Sequence, residues 1–276
     1  MDRKRIYSKT AMNIVLFDSA EIEEPLPLYD ERASHILKIL KKNVGDTFEA
    51  GIIGAMAGKA LIMQINDEGI AFNFTPNSDG KPLYPVSVII GFPRPIQLKR
   101  LFRDMAGLGV AEIHLVGTEL GEKSYMDSTI VERGSAYEAL KNGSIQAKST
   151  YIPELFVYPS LKNCLETLQK DDTCFCHSST IKTSLDNVRS CCSLNALLSH
   201  NYGALDTIRD YMSMEQITNA PRVYAAIGSE RGWTDNERSI FEQYKFVLTL
   251  MGSRVLRTET AATAAVTIIL SQLGML

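Results

Sequence analysis

Near the C-terminal end of the chain, Arg254, Arg257 and Glu259 fall within one short run, Gly252-Ser-Arg-Val-Leu-Arg-Thr-Glu-Thr-Ala261. A second group, Gly228-Ser-Glu230-Arg-Gly232, lies upstream. Neither run fits G-x-x-x-x-G-K-[ST] or G-x-G-x-x-G, so cradling of a phosphate is not the obvious use. Glycines interleaved with a few charged groups fit a ligand held by backbone and one acidic side chain. Thr258 is placed to cap a following helix, with Glu259 in its first turn complementing the positive end of the dipole.

The elements that must position these residues read as a strand (Val223 to Ile227), a glycine loop (Gly228 to Thr234) and a polar helix. A second strand (Phe246 to Leu250), a second glycine loop (Gly252 to Thr258) and an apolar helix follow. Two glycine loops thus leave the same ends of two parallel strands, the edge at which open α/β sheets bind ligands.

The later run resembles the G-x-R-I-L-R-x-E-T-A signature of the ribosomal RNA uridine-N3 methyltransferase family, which belongs to the SPOUT class of knotted, S-adenosylmethionine-dependent enzymes. Ile227-Gly-Ser-Glu-Arg-Gly-Trp233 followed by Glu237 resembles the same family's I-G-P-E-G-G-(aromatic)-x-x-x-E loop, in the right order. The resemblance implies an α/β fold, with a SPOUT-type parallel sheet, a C-terminal trefoil knot and a preceding PUA-like β-barrel. It implies that loops after three strands hold S-adenosylmethionine, through Val116, Gly117 and Thr118, then Ile227, Gly228, Glu230 and Gly232, then Met251, Gly252, Val255 and Leu256. Glycines 228, 232 and 252 would let backbone approach the cofactor closely.

Length and composition agree with such an assignment without selecting it. The 276 residues, 45% apolar and 22% charged, describe a globular protein able to bury a large core. A formal net charge of -3 gives no global attraction to nucleic acid, so RNA must be met by local basic patches. Cys174, Cys176, His177, Cys191 and Cys192 match no common zinc spacing, and reduced, half-buried thiols are expected in place of a metal site. With no apolar run of membrane-span length and no signal-like core after the charged start, a cytoplasmic protein is the default expectation.

Along the chain, Met12 to Phe17 is a short apolar run and Glu31 to Lys42 has helical spacing. Candidate strands Thr47 to Ile53, Lys59 to Ile65 and Ile70 to Phe74 suggest a small β-barrel. The linker is read at Asn77 to Pro82, giving domains 1–80 and 81–276. His35, Ile39, Leu40, Lys41, Gly45 and Asp46 are similar to the family's H-x-x-x-V-L-R-x-x-x-G-D, with lysine for arginine at 41, which implies RNA contact by His35 and Lys41. For His35 a half-buried structural role is the alternative.

The second domain opens with the apolar strand Val86 to Gly91. Pro95 to Leu108 follows as an amphipathic helix with Leu98, Leu101, Phe102 and Met105 on one side, and Ala111 to Val116 is the next strand, a β-α-β unit. Arg94, Lys99, Arg100 and Arg103 form a basic cluster, either a solvated helix face or a phosphate-binding patch. Pro93-Arg-Pro95, Leu108-Gly-Val110, Lys123-Ser-Tyr125 and Gln146-Ala147 with Thr150 and Pro153 resemble one branch of the family, which implicates Lys123 in RNA binding. Between about Tyr158 and Ala220 no motif is found, apart from a polar, helical connector at Leu205 to Thr218.

The implied reaction is methyl transfer to N3 of a uridine in 16S (small-subunit) ribosomal RNA by a homodimer. Imide nitrogen is a poor nucleophile until it loses its proton. Glu259 would orient the base or accept that proton, or else serve as a dipole partner anchoring an arginine. Arg254 or Arg257 would stabilise charge on the uracil oxygens. Trp233 is read as core or rim packing, with base stacking the alternative. Ser229, Arg231 and Gly107 depart from the family pattern, and Arg231 would obstruct the cofactor loop or contact phosphate. Two competing functions are a ribosome-binding module without catalysis and methylation of a ribose 2′-hydroxyl.

Overall fold

The computed structural model describes residues 14–128, 134–170, 222–244, 246–249, 251 and 254–276, with the backbone alone at 191–194 and 247–248. The chain divides into two compact units, one of residues up to Pro82 together with Ser144–Ile152, the other of Leu83–Gly143 and Pro153–Leu276.

In the first unit, β1 (Val15–Phe17), β2 (Thr47–Ile52), β3 (Ala57–Asn66) and β4 (Gly69–Ser78) form a sheet in that order. β1 and β2 run parallel, and the other pairs are antiparallel. Phe17, Phe48, Ile62 and Ile70 fill its core with Ile36. The linker expected at Asn77 starts later, because β4 continues to Ser78, paired with Ala57. The helix expected over Glu31 to Lys42 is α1 (Glu31–Ser34) followed by a π turn, His35–Ile39. It ends with Lys41 at φ 53°, a left-handed conformation that no longer continues a helix. Asp30 caps α1 through Arg32 N–H, and Arg32 in turn bridges Glu21 and Asp30.

The second unit is built on six parallel strands in the order β10-β8-β9-β5-β6-β7. These are β5 (Tyr84–Gly91), β6 (Val110–Val116), β7 (Glu154–Tyr158), β8 (Cys191–Leu194), β9 (Val223–Ile227) and β10 (Val247–Thr249). β5 is buried from Val86 onward, as a strand covered on both faces must be. On one face α2 (Pro95–Gly107) buries Leu98, Leu101, Phe102 and Met105, and α6 (Thr258–Gln272) contacts α2, β5 and β9. Alanines at 261, 262 and 265 are buried in α6, allowing its close seat. The opposite face packs against α4 (Leu161–Lys170) and α5 (Asp235–Gln243) through Leu161, Leu165, Leu168, Trp233 and Phe241. Trp233 is fully buried, edge-on to Phe241 at 5.0 Å, which settles its role as core packing and not base stacking.

Chain direction within this sheet locates its crevice. From β5 the chain proceeds to β6 and β7 on one side, whereas from β9 it proceeds to β10 on the other. Adjacent strands whose connections diverge leave an opening at their carboxyl ends. Those of β5 and β9 are Gly91 and Ile227.

No helix of the described residues is long and apolar enough to cross a membrane. Among them no group of His, Cys, Asp and Glu could hold a metal ion. The expectations for Leu205 to Thr218 and for Cys174, Cys176 and His177 lie outside the described residues. So do the side chains of Cys191 and Cys192.

Candidate active site

Three connections meet where the sheet opens. The loop after β6 touches the loop after β9 through the hydroxyls of Thr118 and Ser229, 3.3 Å apart. At the end of β5, a Cβ on Gly91 would come within 2.5 Å of Ser229 N and 2.8 Å of Thr118 Cγ2, so only glycine permits both loops to close over this strand. The third connection is tied in by Thr258, whose Oγ1 donates to the Gly228 carbonyl at 3.2 Å.

That bond corrects one expectation. Thr258 is the first residue of α6, not its cap; Arg257 occupies the cap position with no side-chain capping bond. The hydroxyl is spent on a tertiary contact instead. Gly228 and Gly232 also serve the turn itself. A Cβ on Gly228 would lie 2.8 Å from Gly232 Cα, and Gly232 sits at φ 73° with its N–H donating to Ser229 O. Their lack of side chains is demanded by the tight turn itself, before any ligand is considered.

Val116 and Ile227 are buried strand ends, and Gly117 and Thr118 begin the loop after β6. Met251 and Leu256 are half-buried, Val255 is 62% exposed, and Gly252 lies outside the described residues. Glu259 is buried, and its Oε2 has no hydrogen-bond partner among the described residues. Arg254 and Arg257 are exposed, and among the described residues neither forms an ion pair with Glu259. The anchoring role considered for Glu259 is thus not the arrangement present.

Two residues assigned separately turn out to be partners. Glu230 accepts the backbone N–H of Arg94 at 3.2 Å and faces its guanidinium at 3.9 Å, drawing Arg94 toward the loop after β9. Arg231 does not block that loop. It reaches Leu120 O at 3.3 Å and Glu122 at 3.4 Å, linking the loop to the one after β6. Lys99, Arg100 and Arg103 are exposed on α2, and Lys123 is exposed at a short turn. In the first unit Lys41 is exposed, while His35 is half-buried with Nε2 unpartnered among the described residues.

A group to which the sequence reading gave no role holds the two loops in register. Glu237, 2% exposed, accepts the backbone N–H of Glu119 at 3.0 Å and of Thr234 at 2.8 Å. Thr234 Oγ1 caps α5 by accepting from Glu237 N, and it also donates to the Glu119 carboxylate, which Asn236 Nδ2 contacts too. Burial pushes the Glu237 carboxyl above the usual range despite those N–H bonds. Hydrogen bonds from Thr234 and Asn236 hold Glu119 below it. The spacing Thr234-x-x-Glu237 is a capping-box signature and was available from sequence; the cross-loop bonds to Glu119 were not. Beside this clamp lies a cleft of about 330 Å³ lined by Gly117, Thr118, Lys123, Ser160 and Ile240, among others.

Comparison with known proteins places this geometry. The family described as an RNA methyltransferase domain matches residues 79–270. Ribosomal RNA small subunit methyltransferase E of Treponema pallidum is 36% identical over 264 residues, covering 94% of this chain and 91% of the relative. Ribosomal RNA small subunit methyltransferase E 1 of Borreliella burgdorferi is 30% identical over 262 residues, 95% of this chain and 99% of the relative. The fold is similar to the crystal structure of ribosomal RNA small subunit methyltransferase E from Neisseria gonorrhoeae bound to S-adenosyl methionine, with a TM-score of 0.68 at 15% identity. That match covers 94% of this chain and 97% of the other.

Proposed function

The chain belongs to the RNA methyltransferase family, and from that premise we propose that it transfers a methyl group from S-adenosylmethionine to N3 of a uridine in 16S ribosomal RNA. The observation that carries this reading is the convergence of the connections after β6 and β9 and before α6, tied by Thr118–Ser229 and Thr258–Gly228. The groups there suit a positively charged ligand, since a buried carboxylate oxygen on Glu259 is unpartnered among the described residues. Gly117, Thr118, Gly228, Glu230 and Leu256 would hold the cofactor, together with Gly252. When bound, S-adenosylmethionine supplies an electrophilic methyl group on a sulfonium.

The rest falls to the chain's own residues. Glu259 orients the base or accepts the imide proton, which requires it to be ionised and shielded from water. Arg254 and Arg257, exposed at the rim, meet the negative charge that develops on the uracil oxygens and the adjoining phosphate. Arg231 draws the two loops together, a role compatible with catalysis where obstruction would not be.

The finer architecture belongs to the same proposal. The third connection threads a trefoil knot, and the first unit is a PUA-like barrel that contacts RNA through His35 and Lys41. In sequence, the boundary between the two domains falls near residue 80. Two copies associate, one covering the exposed Val255 of the other, and the enzyme works in the cytoplasm. Calorimetric titration tests the core of this reading. S-adenosylmethionine should bind in the micromolar range. A chain that shows no binding, while folded, is not this enzyme.

A further inference from the structure

The four cations clustered in sequence from Arg94 to Arg103 are sorted by the structure into different tasks. Arg94 turns to Glu230, and Arg100 pairs with Asp104 along α2 at 3.7 Å. Lys99 and Arg103, one helical turn apart, instead line an open groove of about 830 Å³ between α2 and α3 (Ser135–Ala147). Arg103 Nε donates to Lys99 O at 3.2 Å, which holds the guanidinium against α2 at the groove's edge. The opposite wall carries Tyr137, 46% exposed, with Glu138 and Asn142. Below them the helices close together, for a Cβ on Gly143 would lie 2.5 Å from Arg103 O.

We propose that this groove seats a single-stranded segment of the RNA substrate, with its phosphates along Lys99 and Arg103 and one unpaired base against Tyr137. The proposal rests on the RNA methyltransferase reading and adds where the strand lies outside the reacting centre. Charge decides its polarity. Both cations lie on the α2 wall, and the Glu138 carboxylate on the other wall repels phosphate. The sugar–phosphate backbone therefore follows α2 and the base points to α3. There the Tyr137 ring offers a stacking surface, while the Asn142 amide and Glu138 carboxylate offer a donor and acceptors to a base edge. Duplex RNA presents no free base face and gains nothing from Tyr137. An acidic protein would meet the cations but would have no use for the aromatic wall.

The full-length protein, with S-adenosylmethionine present, is titrated against a labelled oligouridine of about ten nucleotides across a range of salt concentrations. Lys99→Ala should weaken binding and reduce the slope of log affinity against log salt by about one. Tyr137→Ala should weaken it about five- to a hundredfold with the slope unchanged, and Tyr137→Phe should restore it. Oligouridine affinity unaltered by Tyr137→Ala, or equal losses on duplex and single strand, overturns the proposal. So does polyglutamate binding that falls with Tyr137→Ala as far as oligouridine binding does, since the ring would then not be meeting a base. A flat S-adenosylmethionine titration would instead count against the methyltransferase reading, and the oligouridine result would still decide the groove.

Discussion

Replacing Glu237 by glutamine should loosen the site without touching any group assigned to chemistry. The carboxylate accepts two backbone N–H groups, from Glu119 and Thr234, and is almost fully buried. A hydrogen bond to a charged acceptor is worth about 1.5–3 kcal/mol net, and a neutral one about 1 kcal/mol. Glutamine offers a single oxygen, so one bond is lost, the other is weakened, and an amide NH2 faces an N–H. The gross loss is therefore about 3 kcal/mol. Relief from burying a charge returns part of this, consistent with the raised Glu237 carboxyl. A net loss of about 2 kcal/mol should lower Tm by about 4–8 °C for a unit of this size. Freeing the Glu119 loop should also weaken S-adenosylmethionine about tenfold, while oligouridine binding stays at the wild-type level. The pH dependence has a definite sign. A carboxyl raised in the folded state binds more protons there than when unfolded, so its contribution to stability falls as pH rises from about 4.5 through the raised value. Glu237→Gln should remove that fall. Thermal unfolding across pH and calorimetric titration measure all three effects; wild-type Tm and wild-type cofactor affinity together would refute the clamp.

Other perturbations separate chemistry from scaffold. Glu259→Gln and Arg254→Ala should each cut methyl transfer at least a hundredfold with little change in Tm, and wild-type turnover would remove both assignments. Thr258→Val deletes the bond to Gly228 O and should cost about 1 kcal/mol and several-fold in cofactor affinity, read by the same titration. Gly91→Ala forces a Cβ against Ser229 N and should displace the loop after β9, lowering Tm and abolishing cofactor binding. Near the start of β6, burial alone would raise the Glu112 carboxyl, but hydrogen bonds from His114 and Arg222 bring it down to about 2. Its stabilisation, about 2–3 kcal/mol, is full above pH 4.5 and fades as pH falls toward 2; Glu112→Gln should flatten acid unfolding in that window.

The sequence was legible where periodicity reports burial. β5 reads as a buried strand because its side chains are apolar on both faces, and α2 because Leu98, Leu101, Phe102 and Met105 keep one stripe. It was less legible where tertiary contacts redirect a local preference. Thr258 has a capping side chain, yet a carbonyl thirty residues earlier in the chain takes its hydroxyl. The helix at Glu31 reads through to Lys42 because nothing in residue type announces a π turn or the left-handed Lys41. Glu119 carried no signal, since its partners Thr234, Asn236 and Glu237 are more than a hundred residues away. The insertion of β8 between β9 and β10 is likewise a property of the assembled sheet alone.

That the convergent loops present a methyl donor to a uridine ring nitrogen is the central proposal. It is tested most directly by incubating the protein with small ribosomal subunits from cells lacking its gene and S-adenosylmethionine carrying a deuterated methyl group, followed by mass spectrometry of the nucleosides. The expected product is 3-methyluridine bearing the intact label, absent with Glu259→Gln. Label on a ribose 2′-oxygen, or full labelling with Glu259→Gln, would contradict it.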